Sequence, residues 1–502
     1  MTRKISGLLL ISYFFAVLPV TGDSGDAFAT YKQANYKAAI PLLKAAIEAD
    51  GKNPLLHAAL LSSLTYEGMV AEASDEADAD ESAFPQSADV LAARGEFAYY
   101  MADMAAAQTL FRAATKLKEG SARGAFGLAR MYRAASYHRT ARQFFLKAHD
   151  LDPDDALITK SWMRYMPPEK QGDFAKAFVS AHPWLFRNYE LDADTRLRMK
   201  NALGKSKPFE LEGTPSEVNL HLIDLLDGPT RYRGPGLEVT INGGHKLSLL
   251  VDTGASGILL TQKTIDKIGL NHLGGIEAYG IGDDGTKQGF MSLAESCQIG
   301  SLKFKNCVFN ALEGKRIGRD ASFDGLIGPD VFDDYLINFD FQRHSLRLTP
   351  MYKRAEVPQG YDREIPADEK DFSPMFRLGD HLLVTTKMNE QSSGLFLLDT
   401  GSSRSFVDST FAGLSEKLHR DDSMRVRGIS GEVKKVFEVD KATLQFSHFR
   451  QTNLGMTVFD LNNGPDHPEF RMSGILGLPV LARFHLTIDY RNGLVKFEPA
   501  IP

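Results

Sequence analysis

Two short stretches each seat one carboxylate in an otherwise apolar run: "LLVDTGASGILL" from Leu249 to Leu260, and "FLLDTGSSRSFV" from Phe396 to Val407. A lone aspartate among leucines and valines is costly to bury unless something satisfies it. A second carboxylate about 3 Å away would do so, because like charges that close cannot both ionise and instead share one proton. Such a pair offers a base to activate a water and an acid to protonate a carbonyl, so it can hydrolyse an amide without metal or covalent intermediate. Asp252 and Asp399 are therefore the candidate catalytic pair, with no metal or cofactor expected.

The two stretches head a longer duplication. "SCQIGSLKFKNCVFNAL" aligns with "TLQFSHFRQTNLGMTV", which sets Cys297 against Leu444 and Cys307 against Leu454. "FDGLIGPDVFDDYLINFDF" aligns with "MSGILGLPVLARFHLTIDY", with Asp340 on Asp489. Gly328 follows Asp252 by 76 residues and Gly477 follows Asp399 by 78. Short β-branched and aromatic runs cut by glycine turns mark this half of the chain as all-β. Gly254 and Gly401 permit the tight loop that exposes each carboxylate. Gly328 and Gly477 read as the ends of bracing strands, or as ordinary strand-end glycines.

A hydrophobic-Asp-Thr-Gly-[Ala/Ser]-Ser run followed by Gly-hydrophobic-hydrophobic-Gly, present twice, resembles the aspartic peptidase lobe of retropepsins and pepsin over about residues 236 to 350 and 380 to 499. The resemblance implies a fused, retropepsin-like bilobal unit in which Asp252 and Asp399 meet and the Thr253 and Thr400 hydroxyls lock their loops together. It also implies that a hydroxyl three residues after the aspartate donates to the outer carboxylate oxygen. Ser402 stands there in the second lobe and Ala255 in the first, so Asp399 is expected to carry the charge and Asp252 the shared proton.

"AYGIGDDGTKQG" contains Gly280, Gly282 and Gly285 at G-x-G-x-x-G spacing, but strand-like sequence follows where a dinucleotide loop would need a helix. It reads as a hairpin turning at Asp283, Asp284 and Gly285. In the resembling fold this is the substrate-covering flap, with Tyr279 in the place of its tyrosine. The matching stretch of the second lobe, "RVRGISGEVKKV", has no tyrosine, so a single flap is expected. Cys297 and Cys307, the two cysteines of the chain, admit either burial as small apolar residues or a bridge across their hairpin.

Upstream, residues 24–165 read as helical repeats. Ala39, Ala73, Ala107 and Ala141 fall 34 residues apart; Ala27, Leu61, Gly95 and Ala129 precede them by twelve, and Gly51, Pro85, Glu119 and Pro153 follow by twelve. Period and pattern resemble tetratricopeptide repeats, although Leu61 and the acidic "ASDEADAD" depart from them in the second unit. Such an array serves as a spacer or folding aid, or as a concave surface for a peptide or protein partner. Prolines and charges gather over 166–235, read as a connector with room for a small helical cap. The lobes then occupy 236–351 and 352–502, and a fragment beginning near Thr214 is expected to fold alone.

With 43% hydrophobic and 24% charged residues and a net charge of −6, nothing points to nucleic acid. Arg3 and Lys4 before an apolar run from Gly7 to Val20 have the shape of a signal peptide over residues 1–22, cleaved or kept as an anchor. Cleavage would leave no stable membrane insertion. The 13 histidines show no H-E-x-x-H or comparable ligand spacing, and no Walker loop or G-x-S-x-G elbow occurs. The expectation is an exported, periplasmic or secreted, monomeric aspartic endopeptidase acting on peptide or protein. The alternative is an inactive peptide-binding scaffold using the same cleft and repeats.

Overall fold

The computed structural model describes residues 24–118, 120–186, 189–313, 323–352, 354, 360–464 and 469–500. The signal peptide read over residues 1–22 lies outside them. Among the described residues no helix is long and apolar enough to cross a membrane.

Eight helices form four hairpins: α1 (Ser24–Lys32) with α2 (Tyr36–Ala49), α3 (Pro54–Tyr66) with α4 (Val70–Ala83), α5 (Ala88–Tyr100) with α6 (Met104–Leu117), and α7 (Ala122–Ala134) with α8 (His138–Leu151). The 34-residue period governs every local device. The turns within the hairpins pass through left-handed residues at Ala34, Gly68, Ala102 and Ser136, with φ from 55° to 68°. The helices beginning at Pro54, Ala88 and Ala122 are capped by the side chains of Asn53, Ser87 and Ser121, and Asp155 caps the next one, α9 (Ala156–Trp162). Ala39, Ala73, Ala107 and Ala141 are all 0% exposed. Helix approach at these seams is close: a Cβ on Gly127 would sit 2.1 Å from the ring of Phe111. The second unit forms the same hairpin despite its acidic sequence, and its α4 buries only Ala73, Ala77 and Asp80.

The stretch read as a connector proves largely regular. It holds helices Pro168–Ala181 and Tyr189–Leu203, strands Val218–His221 and Ile223–Asp227, and the start of strand Arg231–Ile241. Two of its prolines, Pro168 and Pro183, sit in the first turns of helical segments, where a missing N–H costs nothing. The helix Tyr189–Leu203 packs on the first lobe, where Thr195 Oγ1 donates to the Gly275 carbonyl at 2.6 Å.

The β half has two large sheets. Strands near the ends of both lobes join in one of them: Tyr335–Asp340 pairs antiparallel with Phe484–Asp489, flanked by Ser345–Pro350 and Val218–His221 on one side and Leu494–Pro499 on the other. The lobes thus share a backbone ladder. Cys297 and Cys307 are bridged across the hairpin of strands Lys287–Ile299 and Leu302–Leu312.

The helical array does not stand apart. Tyr99, Met104, Phe111, Leu128 and Met131 share one buried cluster with Leu383, Leu395, Leu397, Phe406, Phe470 and Ile475 of the second lobe. Around this core Arg130 and Arg133 pair with Glu469, and the Arg471 amide donates to the Tyr100 carbonyl at 2.6 Å.

Candidate active site

Each aspartate is delivered by a strand that ends against a short parallel neighbour. Strand His245–Val251 runs parallel to Gly325–Ile327, and the Asp252 amide donates to the Ile327 carbonyl at 3.0 Å. In the second lobe Ser392–Asp399 runs parallel to Gly474–Gly477, with Asp399 opposite Gly477. The short strand is sandwiched in each case, because its other edge pairs antiparallel with Ile258–Thr261 or with Phe406–Val407. Gly328 and Gly477 are more than strand ends. A Cβ on Gly328 would lie 2.3 Å from the Ala255 carbonyl oxygen, and one on Gly477 would lie 2.2 Å from that of Arg404. Only glycine lets the aspartate loop lie so close.

The two loops are joined by reciprocal bonds. Thr253 N–H donates to Thr400 Oγ1 and Thr400 N–H to Thr253 Oγ1, both at 3.0 Å. The Thr253 hydroxyl donates to the Leu398 carbonyl at 2.6 Å and the Thr400 hydroxyl to that of Val251 at 2.7 Å. Both threonines are buried, so four polar groups are satisfied only when the lobes are together. The consequence is close apposition: a Cβ on Gly401 would meet the Asp252 carboxyl at 2.3 Å, and one on Gly254 the Asp399 carboxyl at 2.9 Å.

The aspartates are within hydrogen-bonding reach of each other. Burial raises both carboxyls, and the adjoining Asp252 raises Asp399 further, well above the usual carboxylate range. Asp252 is held down by the Gly254 amide, 2.8 Å from its Oδ1, and by its bond with Asp399. Asp399 is held down in turn by the Arg233 charge and the Gly401 amide, while its Oδ1 is buried without a hydrogen-bond partner. The pair therefore titrates as a unit, with one proton held above the ordinary carboxylate range. The carboxylate bond expected of Ser402 is not made. Its hydroxyl donates to the Arg404 carbonyl at 2.8 Å, within its own loop, and leaves the carboxylate without that bond.

Sequence reasoning missed several neighbours. The Arg233 charge favours ionisation of both aspartates, and His381, when protonated, adds to it at Asp252. The His381 imidazole is itself held below its usual range by burial, and its Nδ1 has no hydrogen-bond partner. Neither "TRYRGPG" nor "GDHLLV" signals proximity to a residue elsewhere in the chain. Asp330, two residues past Gly328, accepts the Gly257 amide at 2.8 Å, and burial pushes its carboxyl up to about 6.

Tyr279, Gly280 and Gly282 lie on a loop between strands His272–Ala278 and Lys287–Ile299. The expected single flap is a pair, because the second lobe's "RVRGISGEVKKV" also makes a hairpin, Arg427–Gly428 with Gly431–Glu432. The two tips bond directly. The Ser430 amide donates to the Ile281 carbonyl at 3.0 Å and the Asp284 amide to the Ser430 carbonyl at 2.8 Å. The Gly280 amide donates to Ser430 Oγ at 3.2 Å. Each tip also lends an isoleucine to the other lobe: Ile281 packs on the cluster around Phe406 and Phe459, Ile429 on that around Leu250 and Leu326. Gly282 has φ 128°, and a Cβ there would fall 2.4 Å from the Ser430 carbonyl. A tyrosine is not what joins the flaps; the Tyr279 hydroxyl donates to Asn463 of the second lobe. A cavity of about 690 Å³, lined by Arg133, Arg164, Arg377 and Glu469 among others, lies away from the aspartates, between array and second lobe.

The family model described as aspartyl protease matches residues 237–331 and again 384–480, once in each lobe. A search of curated proteins returned no match. Among solved structures, a thermophilic TPR protein of Thermus thermophilus is 16% identical, with 31% of this chain and 95% of that chain covered at a TM-score of 0.25. The human IFIT1 dimer with m7Gppp-AAAA is also 16% identical, with 36% and 46% covered at a TM-score of 0.27.

Proposed function

We propose that this chain, which carries two aspartyl protease segments, is an exported aspartic endopeptidase. The observation that carries the reading is the reciprocal threonine bonding that sets Asp252 against Asp399 at the lobe junction. Asp252 takes a proton from a water lying between the carboxyls. Asp399 donates its proton to the carbonyl oxygen of the scissile peptide as the water attacks. Asp252 passes the water's proton to the amine nitrogen as the C–N bond breaks, a hydroxyl of the tetrahedral gem-diol gives its proton to Asp399, and the pair returns to its starting state. The paired flaps cover an extended peptide and keep bulk water from the reacting carbonyl. Both aspartates come from one chain, so a monomer is a complete catalytic unit.

Export rests on the basic, apolar and small-residue order of the first 22 residues. The Cys297–Cys307 bridge suits an oxidising compartment, periplasmic or extracellular. The helical array, beyond bracing the second lobe, is read as a surface that holds a protein substrate or partner.

The test is hydrolysis of an unfolded casein-like protein by the purified chain, with and without a statine-type transition-state analogue. Inhibitable cleavage is expected. A folded chain that binds the analogue and releases no peptides would be an inert peptide-binding scaffold.

A further inference from the structure

We infer that the second helical repeat is a binding site for a divalent transition metal, held by His57, Glu76 and Asp80. The site begins with a substitution pattern inside the array. In the 34-residue frame, His57, Glu76 and Asp80 take the positions of Leu91, Leu110 and Ala114 in the third repeat. Leu91 and Ala114 belong, with Ala92, to a small buried apolar cluster between α5 and α6, and Leu110 packs against it. Asp80 likewise replaces the buried Ala46 and Ala148 of the first and fourth repeats. One repeat has thus exchanged three apolar positions for an imidazole and two carboxylates.

The exchange leaves two carboxylates with one imidazole as their close partner and the Arg94 charge nearby. Asp80 is 1% exposed, its Oδ2 makes no hydrogen bond, and its Oδ1 has only the His57 ring nitrogen within reach. His57 Nδ1 lies 2.8 Å from Glu76 Oε1 and 3.2 Å from Asp80 Oδ1. The other ring nitrogen, Nε2, lies 3.3 Å from the Gly51 carbonyl oxygen. A proton on Nε2 donated to that carbonyl turns the Nδ1 lone pair toward the two carboxylates. Three electron-rich atoms then face one another, and a cation is what such a cluster lacks. A backbone carbonyl on the second imidazole nitrogen is also the usual way a metal-bound histidine is oriented.

Geometry and donor set favour zinc-like ions. Glu76 and Asp80 are one turn apart on α4, and His57 faces them from α3, with the three donor atoms within 4.8 Å of one another. Ligands at about 2.0–2.2 Å from a tetrahedral ion lie roughly 3.3–3.6 Å apart, so small side-chain shifts suffice. An imidazole among the ligands selects Zn²⁺ and its neighbours over Mg²⁺ and Ca²⁺, which take oxygen. Three protein ligands leave a fourth position for water. The metal would join α3 to α4, a pair whose second helix contributes only Ala73, Ala77 and Asp80 to the interior.

The full chain, stripped with a chelator, tests this by calorimetric titration with Zn²⁺ and by thermal unfolding. One saturable equivalent and an upward shift in Tm are expected, with Co²⁺ giving visible d–d absorption and Mg²⁺ no shift. The triple variant His57→Leu, Glu76→Leu, Asp80→Ala imports the third repeat's own residues. It should keep its helical circular dichroism, bind one equivalent fewer and show no zinc-dependent Tm. Asp80→Ala alone provides the same comparison should the triple variant not fold. Superimposable zinc titrations of wild type and variant, or a wild-type Tm that Zn²⁺ leaves unmoved, would overturn the inference. The second result would mean that a proton on His57 already answers the carboxylates.

Discussion

The two catalytic candidates differ in what surrounds them, and activity should record the difference. Replacing Asp252 or Asp399 with Asn removes half of one acid–base device, so hydrolysis should fall at least about 10²–10⁴-fold with the fold retained. Appreciable turnover by either purified variant would refute the pair. In the wild type kcat/KM should fall with rising pH as the pair gives up its shared proton, above the ordinary carboxylate range because burial raises both carboxyls. The same raised value costs stability: the folded state holds a proton that the unfolded chain releases above about pH 4, so stability drops as pH rises. Asp399→Asn should lose less stability than wild type between pH 4 and 7 in denaturant titrations. Ser402 is a separate case. With its hydroxyl committed to the Arg404 carbonyl, Ser402→Ala should cost about 1 kcal/mol and leave the alkaline limb of kcat/KM in place. A displaced limb would mean that the hydroxyl does reach the carboxylate. The aspartates, threonines and glycines were legible in the sequence because each sits in a twice-repeated motif. The hydroxyl's direction was not, since a local carbonyl competes with the carboxylate and only coordinates decide between them. Arg233, His381 and the His57 cluster were hidden for a related reason: spacing rules see ligands along one element, whereas these groups meet across several.

At the scale of elements, glycine and period carry most of the information. Gly282 is held at φ 128° against the Ser430 carbonyl, so Gly282→Ala should disrupt the junction of the two flaps. KM for an extended peptide should rise while Tm changes little; an unchanged KM would show that the flap junction does not govern substrate entry. In the array, Gly127→Ala drives a methyl into the Phe111 ring and should lower stability by about 1–3 kcal/mol in denaturant unfolding. The helical period was readable because a hairpin repeats its small residues and caps at fixed intervals. The acidic second unit looked unfit to pack, yet the turn at Gly68 and the cap at Asn53 hold it in the same frame as its neighbours. The second flap went unseen because a tyrosine was sought where backbone amides and an isoleucine make the contact. The connector holds more regular structure than its sequence suggested, because Pro168 and Pro183 open helical segments where prolines read as breakers.

Across the whole molecule, the array and the second lobe are one packed body. A fragment beginning at Thr214 would expose Leu383, Leu395, Leu397, Phe406 and Phe470, all at most 7% exposed in the intact chain. The autonomous catalytic fragment expected from the sequence is therefore replaced by a different outcome: the fragment should unfold at lower denaturant than the full chain and aggregate. A fragment as stable and active as the parent would contradict this. Sequence patterning identified the parts and not their contact, because a residue's burial gives no hint of which distant segment covers it. That shared core also sets a schedule. Ribosomes deliver the array first, and its half of the core, ending near Met131, waits for Leu383, some 250 residues later. At about 5–20 residues per second the wait is roughly 10–50 s. Throughout it, Met104, Phe111, Leu128 and Met131 have no lobe to cover them, which makes the nascent array a client for whatever holds unfolded chains until synthesis is done.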